Sequence, residues 1–300
     1  MNDKRIGVID LGTNTFNLLI AEVIDGKIEV IHSEKHGVAL GMGGLKEGVI
    51  TNEAILRALK TMSHFSKMCD VHYVEDIRAF GTSAIRDAIN GKDLIQLIHN
   101  ETGITVKMIS GEEEAKLIFE GVICSYVFTE PAMIVDVGGG STEFIFVNQG
   151  EIQELVSLNI GVSRIFQELN LSDPLTEKEV ILIESWIEER ASSFIVGKSC
   201  DVMVGASGCF ETFYEMIYKS SFPNAIDAIE LPMQKINEVL DWIIDSDQIK
   251  RDLHPHIIPI RRKMAPIAAV KIRWMIKKLG IKKLIVSPCS LKEGVLNTAF

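Results

Sequence analysis

Two segments of the chain read almost alike: Ile9-Asp10-Leu11-Gly12-Thr13-Asn14-Thr15 and Val135-Asp136-Val137-Gly138-Gly139-Gly140-Ser141-Thr142. In each, an apolar strand ends on an aspartate, a turn of glycine and hydroxyl residues follows, and a second apolar strand leaves the turn. Glycine at such a turn lets backbone N–H groups close around phosphate oxygens, because no side chain blocks the approach. The hydroxyls of Thr13, Thr15, Ser141 and Thr142 add donors. An aspartate at the strand end repels a bare phosphate, so it is expected to face a divalent cation or the water around one. Two such loops, one in each half, predict a duplicated fold that grips a phosphoanhydride from both sides.

The segments around the repeat fit that duplication. Strands are expected at 5–10, 16–22 and 27–34, the last two joined by the Asp25-Gly26 turn signal. A helix over 52–68, a strand over 76–80, a helix over 92–101, a strand over 105–109 and a helix over 112–127 complete the first half. The second half repeats the opening with strands at 133–136, 143–147 and 152–158. It continues with helices over 162–169 and 177–193, a strand at 201–204, and a helix from Gly208 to about Tyr218. Helices over 233–245 and 257–279, a strand over 283–287 and a helix over 291–297 end it. Clustered strands followed by alternating helix and strand predict mixed sheets covered by helices, an α/β fold. The boundary is expected at 127/128, giving domains of residues 1–127 and 128–300, with the last helix packing on the first domain. No low-complexity linker separates them, so the two should share a cleft.

Composition narrows the setting. Five cysteines are scattered without a C-x-x-C, which argues against a disulfide framework or a zinc site and for a reducing, cytoplasmic compartment. A motif-bearing strand begins close to Met1, so a cleaved leader is not expected. There is no run of 18 apolar residues, and no membrane span is read. The net charge is −10, yet residues 250–283 carry eleven Lys or Arg against one acid, Asp252. That region is either a set of basic helix surfaces or a track along an extended anion. Nucleic acid is not the expected partner, because no recognisable nucleic-acid motif accompanies the charge.

Three side chains could carry chemistry. In Ser110-Gly111-Glu112-Glu113-Glu114-Ala115, Ser110 and Glu113 match a capping box, which gives Glu113 a structural task. Glu114 stands four residues before Ile118 and falls on or beside the inward face of Ala115, Ile118, Phe119, Val122 and Ile123. It is a catalytic candidate, or it serves as a helix cap or salt-bridge partner. Glu143 follows the second loop within reach of its ligand, as a functional acid or a solvated strand end. Arg86, after Thr82-Ser83, could clamp phosphate bidentately, pair with Asp87 or be a surface charge. The chain lacks a Walker-type P-loop, G-x-G-x-x-G after the first strand, G-x-S-x-G and H-E-x-x-H. His254-Pro255-His256 is a lone pair in a Pro-broken loop and is not read as a metal site.

Taken together, Asp10-Leu11-Gly12-Thr13-Asn14-Thr15, Thr82-Ser83-Ala84-Ile85-Arg86-Asp87-Ala88, Ser110-Gly111-Glu112-Glu113-Glu114-Ala115 and Asp136-Val137-Gly138-Gly139-Gly140-Ser141-Thr142-Glu143 resemble the exopolyphosphatase/guanosine pentaphosphate phosphohydrolase family in order and spacing over nearly the whole chain. The resemblance implies the actin/Hsp70/sugar-kinase fold, two ribonuclease-H-like domains with the active site between them, in a short two-domain form. By position, Glu114 resembles the catalytic base and Glu143 the second catalytic carboxylate. Arg86 resembles the substrate-phosphate arginine, and Asp10 and Asp136 the aspartates associated with Mg²⁺. Thr13, Asn14, Gly139, Gly140, Ser141 and Gly208 fall where substrate is held. The chain departs from the family at Ala39, at Ser207-Gly208-Cys209, at Arg262-Lys263-Met264 with Ala269, and at Lys292.

The resemblance implies hydrolysis of the terminal anhydride of inorganic polyphosphate, with Mg²⁺ and possible homodimers. Its nearest rival is guanosine pentaphosphate as substrate. A kinase of the same fold would need an adenosine pocket and an acceptor site, for which the sequence carries no independent signal. A non-catalytic polyphosphate or nucleotide sensor would bind without releasing phosphate.

Overall fold

The structure, a computed structural model, describes residues 4–24, 27–223 and 227–298. The Asp25-Gly26 turn expected from the sequence lies outside the described residues. The first sheet has the order β3-β2-β1-β4-β5, from β1 (Arg5–Leu11), β2 (Thr15–Ile24), β3 (Lys27–Gly37), β4 (Asp76–Gly81) and β5 (Val106–Met108). β1 runs antiparallel to β2 and parallel to β4, so the sheet is mixed. The helices α1 (Asn52–Val71), α2 (Ser83–Asp87), α3 (Gly91–Thr102) and α4 (Gly111–Val122) belong to this half of the chain. Apolar residues of β1 and β2, among them Ile9, Leu11, Phe16 and Leu18, bury one face of the sheet against Ala58, Met62 and Phe65 of α1.

The second sheet, also mixed, has the order β10-β11-β9-β6-β7-β8. It is built from β6 (Ala132–Val137), β7 (Thr142–Asn148), β8 (Glu151–Leu158), β9 (Val202–Gly205), β10 (Ile229–Leu231) and β11 (Lys283–Val286). Its helices are α5 (Val162–Glu168), α6 (Glu177–Ile195), α7 (Gly208–Tyr218), α8 (Met233–Asp245), α9 (Gln248–Leu253), α10 (Pro259–Arg262), α11 (Ala265–Leu279) and α12 (Leu291–Asn297). Each sheet opens with the same antiparallel triplet, β1-β2-β3 and β6-β7-β8, and the expected α/β class with mixed sheets is observed.

A third apolar cluster joins the halves. Ile6 and Val8 of β1, Ile118 and Val122 of α4, Ile134 of β6 and Leu291 of α12 share it. α4 and α12 meet backbone to backbone: a Cβ on Gly121 would sit 1.9 Å from the Ser290 carbonyl, and one on Gly294 would sit 1.8 Å from that of Leu117. Only glycine fits such a crossing. The start of α4 follows from its sequence, since Ser110 and Glu113 form the reciprocal capping box.

Some expectations need correction. α4 ends at Val122 rather than at 127, and Ile123, expected on the inward face, is 38% exposed at the helix end. The helix expected over 257–279 is two elements, α10 and α11. Pro266 lacks the N–H that would bond to Arg262 and crowds that carbonyl, so the helix restarts with proline in its first turn. The sequence reading also missed α9 and β10, both of six residues or fewer.

Candidate active site

Both repeated loops line one cavity of about 240 Å³, with walls from both halves of the chain. The two turns close alike: Gly12 N–H donates to the Thr15 carbonyl at 3.1 Å, and Gly138 N–H to the Ser141 carbonyl at 3.1 Å. They face each other at contact distance. A Cβ on Gly139 would lie 2.8 Å from the Asn14 amide nitrogen, and one on Gly140 would lie 2.4 Å from Ser83 Oγ. The glycines are therefore needed for the approach of the opposite loop as well as for any ligand. The carbonyls of Gly139 and Gly140 accept from Ser163 N–H (2.8 Å) and Gly161 N–H (3.1 Å). Among the described residues, the N–H groups of Thr13, Asn14, Gly139 and Gly140 have no backbone partner. Ser163 Oγ donates to Asn14 Oδ1 at 2.8 Å, a further tie between the halves.

Six carboxylates line this cavity: Asp10, Glu114, Asp136, Glu143, Glu211 and Glu293. Strand register places three of them, Asp10, Asp136 and Glu143, in rows. Asp10 on β1 stands opposite Asn17 on β2, which stands opposite Lys35 on β3. Asp136 on β6 stands opposite Glu143 on β7, opposite Ser157 on β8. Asn17 Nδ2 donates to Asp10 Oδ2 at 2.9 Å, Ser290 Oγ to Asp136 Oδ2 at 3.1 Å, and Ser157 Oγ to Glu143 Oε1 at 2.6 Å. Glu114 is only 8% exposed, and its Oε2 accepts from Arg86 Nη1 at 2.9 Å.

Burial, reinforced by the Glu143 charge, holds both Glu114 and Asp136 well above the ordinary carboxylate range. Burial also raises Glu143, against the hydrogen bond from Ser157, and raises Asp10 against the nearby Lys292. A site that makes ionisation costly calls for positive charge from outside or keeps its protons.

Of the residues singled out from the sequence, Asp10, Thr13, Asn14, Glu114, Asp136, Gly139, Gly140, Ser141, Glu143 and Gly208 line the cavity. Arg86 does not. Its guanidinium lies behind Glu114, donating also to the Ile109 carbonyl at 3.2 Å and standing 3.6 Å from Asp87. Gly208 begins α7 under Arg261, where a Cβ would collide with the guanidinium at 1.7 Å.

Several wall residues were not singled out. Arg261 bonds to Glu211 (2.9 Å) and Thr212 (2.8 Å), and Lys35 stands 3.5 Å from Glu211. Lys292, noted only as a departure, carries an amino group raised by Glu293 and Asp10 despite its burial. Lys271 on α11 does not line the cavity; it is fully buried and donates to Thr142 Oγ1 and the Ile160 carbonyl. Burial lowers its pKa to about 7. The signal that could have found it is a lysine amid Ala268, Ala269, Val270 and Ile272.

The basic region over 250–283 is largely paired. Seven of its eleven basic residues pair with carboxylates, among them Arg251 with Asp173 (2.6 Å), Arg273 with Asp241 (3.2 Å) and Lys283 with Glu130 (2.6 Å). Acids outside the run hold six of these seven, and Arg262 pairs with Asp252 within it. All five cysteines are free, and burial pushes the Cys209 thiol up to about 11, away from the thiolate form.

The donor set of the cavity fits Mg²⁺. Asp10 and Asp136 offer hard carboxylate oxygens, and in each the Oδ1 is not the atom that accepts from Asn17 or Ser290. Among the described residues, no three of these acids bring their oxygens within 4.8 Å of one another. Mg²⁺ suits that spacing, since it is commonly bound through one or two carboxylates and keeps several waters.

Two mixed sheets of five and six strands, each opened by the same triplet and enclosing a cavity lined by both turns, define an actin-like α/β protein. The model of the Ppx/GppA phosphatase family matches residues 19–299, and the chain belongs to that family. An exopolyphosphatase structure from Cytophaga hutchinsonii superposes with a TM-score of 0.95 at 34% identity, covering 99% of this chain and 97% of that one. Exopolyphosphatase 2 of Mycobacterium tuberculosis is 27% identical over 97% of each chain. The bifunctional 3-dehydroquinate synthase/phosphatase of Fusobacterium nucleatum subsp. nucleatum is 35% identical over 96% of this chain, which spans 46% of that relative's length. No helix among the described residues is long and apolar enough to cross a membrane.

Proposed function

We propose that the chain is an exopolyphosphatase, hydrolysing the terminal phosphoanhydride of inorganic polyphosphate in a cleft between residues 1–127 and 128–300. The observation that carries this reading is Glu114: a buried carboxylate, held by Arg86, in the wall of a cavity that both glycine turns line. Phosphoryl transfer asks mainly for positioning and charge neutralisation. The N–H groups of Thr13, Asn14, Gly139 and Gly140 and the hydroxyl of Ser141 would hold the terminal phosphoryl oxygens, and Gly208 opens room beside them. Glu114 would take a proton from a water molecule as its oxygen bonds to the terminal phosphorus. The bridging P–O bond breaks, the shortened chain leaves with the electron pair, and orthophosphate is released.

A base is most effective with its pKa near the working pH, and burial moves Glu114 in that direction. Arg86 positions Glu114; to reach substrate oxygens its guanidinium must exchange that carboxylate for phosphate. Members of this family typically need a divalent cation. Mg²⁺ held by Asp10 and Asp136, with Glu143 beside them, would supply charge neutralisation on the anhydride oxygens.

The test is phosphate release from long-chain polyphosphate and from guanosine pentaphosphate at matched concentrations, with Mg²⁺. Release from polyphosphate should exceed release from the nucleotide, and Glu114→Gln should lower it by about 10²–10⁴-fold with polyphosphate still bound. Preference for the nucleotide assigns the other substrate. Binding without release by the unaltered chain makes it a sensor, and full turnover by Glu114→Gln removes that residue from the reaction.

A further inference from the structure

Four of the chain's seven histidines gather on the face of the first sheet opposite the cavity. β3 pairs with β2 in unbroken register from His32 to Gly37, so alternation sends His32, Glu34 and His36 to one face and Lys35 to the other. α1 crosses that face and brings His64 onto it, and His72 follows the end of the helix. Glu34 Oε2 lies 2.9 Å from His36 Nε2 and 3.0 Å from His64 Nε2. The two imidazoles stand with ring centroids 5.0 Å apart, and His36 packs edge-on to Phe65. Among the described residues, Glu34, His36 and His64 are the only three His, Cys, Asp or Glu side chains whose ligand atoms all lie within 4.8 Å of one another.

A second observation lies beside the first. Glu34 Oε1 and His32 Nε2 are both buried and take no hydrogen-bond partner, although they face each other at 3.5 Å. Burying an acceptor and an imidazole nitrogen without partners is costly. One carboxylate is thus surrounded by three imidazole nitrogens, with one of its oxygens unspent.

We propose that Glu34, His36 and His64 form a binding site for a Zn²⁺-class transition metal, separate from the carboxylate cleft. Imidazole together with a carboxylate suits Zn²⁺, Co²⁺ or Ni²⁺ and does not suit Mg²⁺. Tetrahedral bonds of about 2.0–2.1 Å set donors roughly 3.3 Å apart, so the Glu34–His distances need open only slightly around an ion. Three protein ligands leave the fourth position to solvent or to His32. The half-exposed side chains of His36 and His64 provide the entry path, their relative exposures being 37% and 43%. A metal here ties the edge strand β3 to α1. Lys35, between two of the ligands, reaches the cavity wall at Glu211 from the opposite face, so the site lies directly behind the cleft.

The full chain is to be titrated with Co²⁺ and Zn²⁺ against a chromophoric chelator, with Mg²⁺ present throughout to occupy the oxygen-rich cleft. One equivalent should bind, with the intense visible bands of low-coordinate Co²⁺, and Zn²⁺ should displace it. His36→Gln and His64→Gln should each weaken binding by more than about tenfold, while Asp136→Asn should bind as the unaltered chain does. In the unaltered chain, proton NMR should show Co²⁺ shifting the imidazole signals of His36 and His64 but not those of His254 and His256, a readout that needs no variant to fold. The proposal is overturned by no stoichiometric binding under Mg²⁺, by unchanged affinity in both His variants, or by imidazole signals that Co²⁺ leaves in place.

Discussion

The two repeated loops share a backbone and differ in charge. Both close a strand–turn–strand with a glycine N–H bonded to a hydroxyl residue's carbonyl at 3.1 Å. Across the strands, the first half reads Asp10, Asn17, Lys35 and the second reads Asp136, Glu143, Ser157. An amide donates to the first aspartate, and an ammonium group ends its row. The second aspartate faces another carboxylate; hydroxyls of Ser290 and Ser157 donate to the pair, and the charges of Lys35, Arg86 and Lys271 relieve it from outside the row. One turn geometry thus supports two electrostatic environments, because identity at the facing strand positions is independent of the turn. The first row approaches internal neutrality; the second holds its acids protonated or depends on external positive charge.

The largest expected effect comes from making the second row like the first. Glu143→Gln should lower phosphate release by about 10²–10⁴-fold, the range of an acid–base group, with binding of polyphosphate retained. Near-normal release would mean that the second row's charge has no part in turnover.

Next is Gly140→Ala, which should cost about 1–3 kcal/mol in stability and reduce activity, because its Cβ would press on Ser83 and Thr13 of the opposite loop. A variant with an unaltered melting temperature would show that the turns do not bear on each other in solution.

Acid titration sharpens the comparison further. Burial and the Glu143 charge raise the folded pKa of Asp136 above the ordinary aspartate value of 3.8. Its contribution to stability is therefore full below that unfolded value and is lost as pH rises through the raised one. Without divalent cation, Asp136→Asn should gain in melting temperature relative to the unaltered chain as pH rises from 4 to about 8. Mg²⁺ should stabilise the unaltered chain more than the variant. A gap that narrows with rising pH would reverse the assigned charge balance.

The smallest effect is expected from Asn17→Asp, which builds a second-row pair in the first half. It should destabilise the cation-free protein by about 1 kcal/mol at neutral pH, as the hydrogen bond to Asp10 is lost while Lys35 and Lys292 absorb part of the new charge. Denaturant unfolding with and without Mg²⁺ measures it. A loss as large as that of Gly140→Ala would show that those lysines do not buffer the row.

Local signals carried much of the fold and site. The Ser110/Glu113 capping box marked where α4 begins, and helical spacing from Ile118 marked Glu114 as inward; both features are present. Strand alternation and the doubled turn announced β1-β2-β3 and β6-β7-β8. Longer continuous patterns misled. The single helix read over 257–279 hid a proline break, and the basic run over 250–283 hid its partners, among them Asp173, Glu188, Asp201, Asp241 and Glu130. The histidine pair written close together, His254 and His256, has no carboxylate ligand beside it among the described residues, whereas His36 and His64 meet around Glu34 across 28 residues of sequence.

By itself the sequence determined what depends on neighbours along the chain: turns that need glycine, helix starts that need a cap, and strand faces set by alternation. Register and packing decided the rest. They set Glu143 against Asp136 and Asn17 against Asp10, turned Arg86 towards Glu114, and buried Lys271 beneath Thr142. Charge–charge energies depend on separation through space and on the surrounding dielectric, and neither is fixed until the two sheets meet.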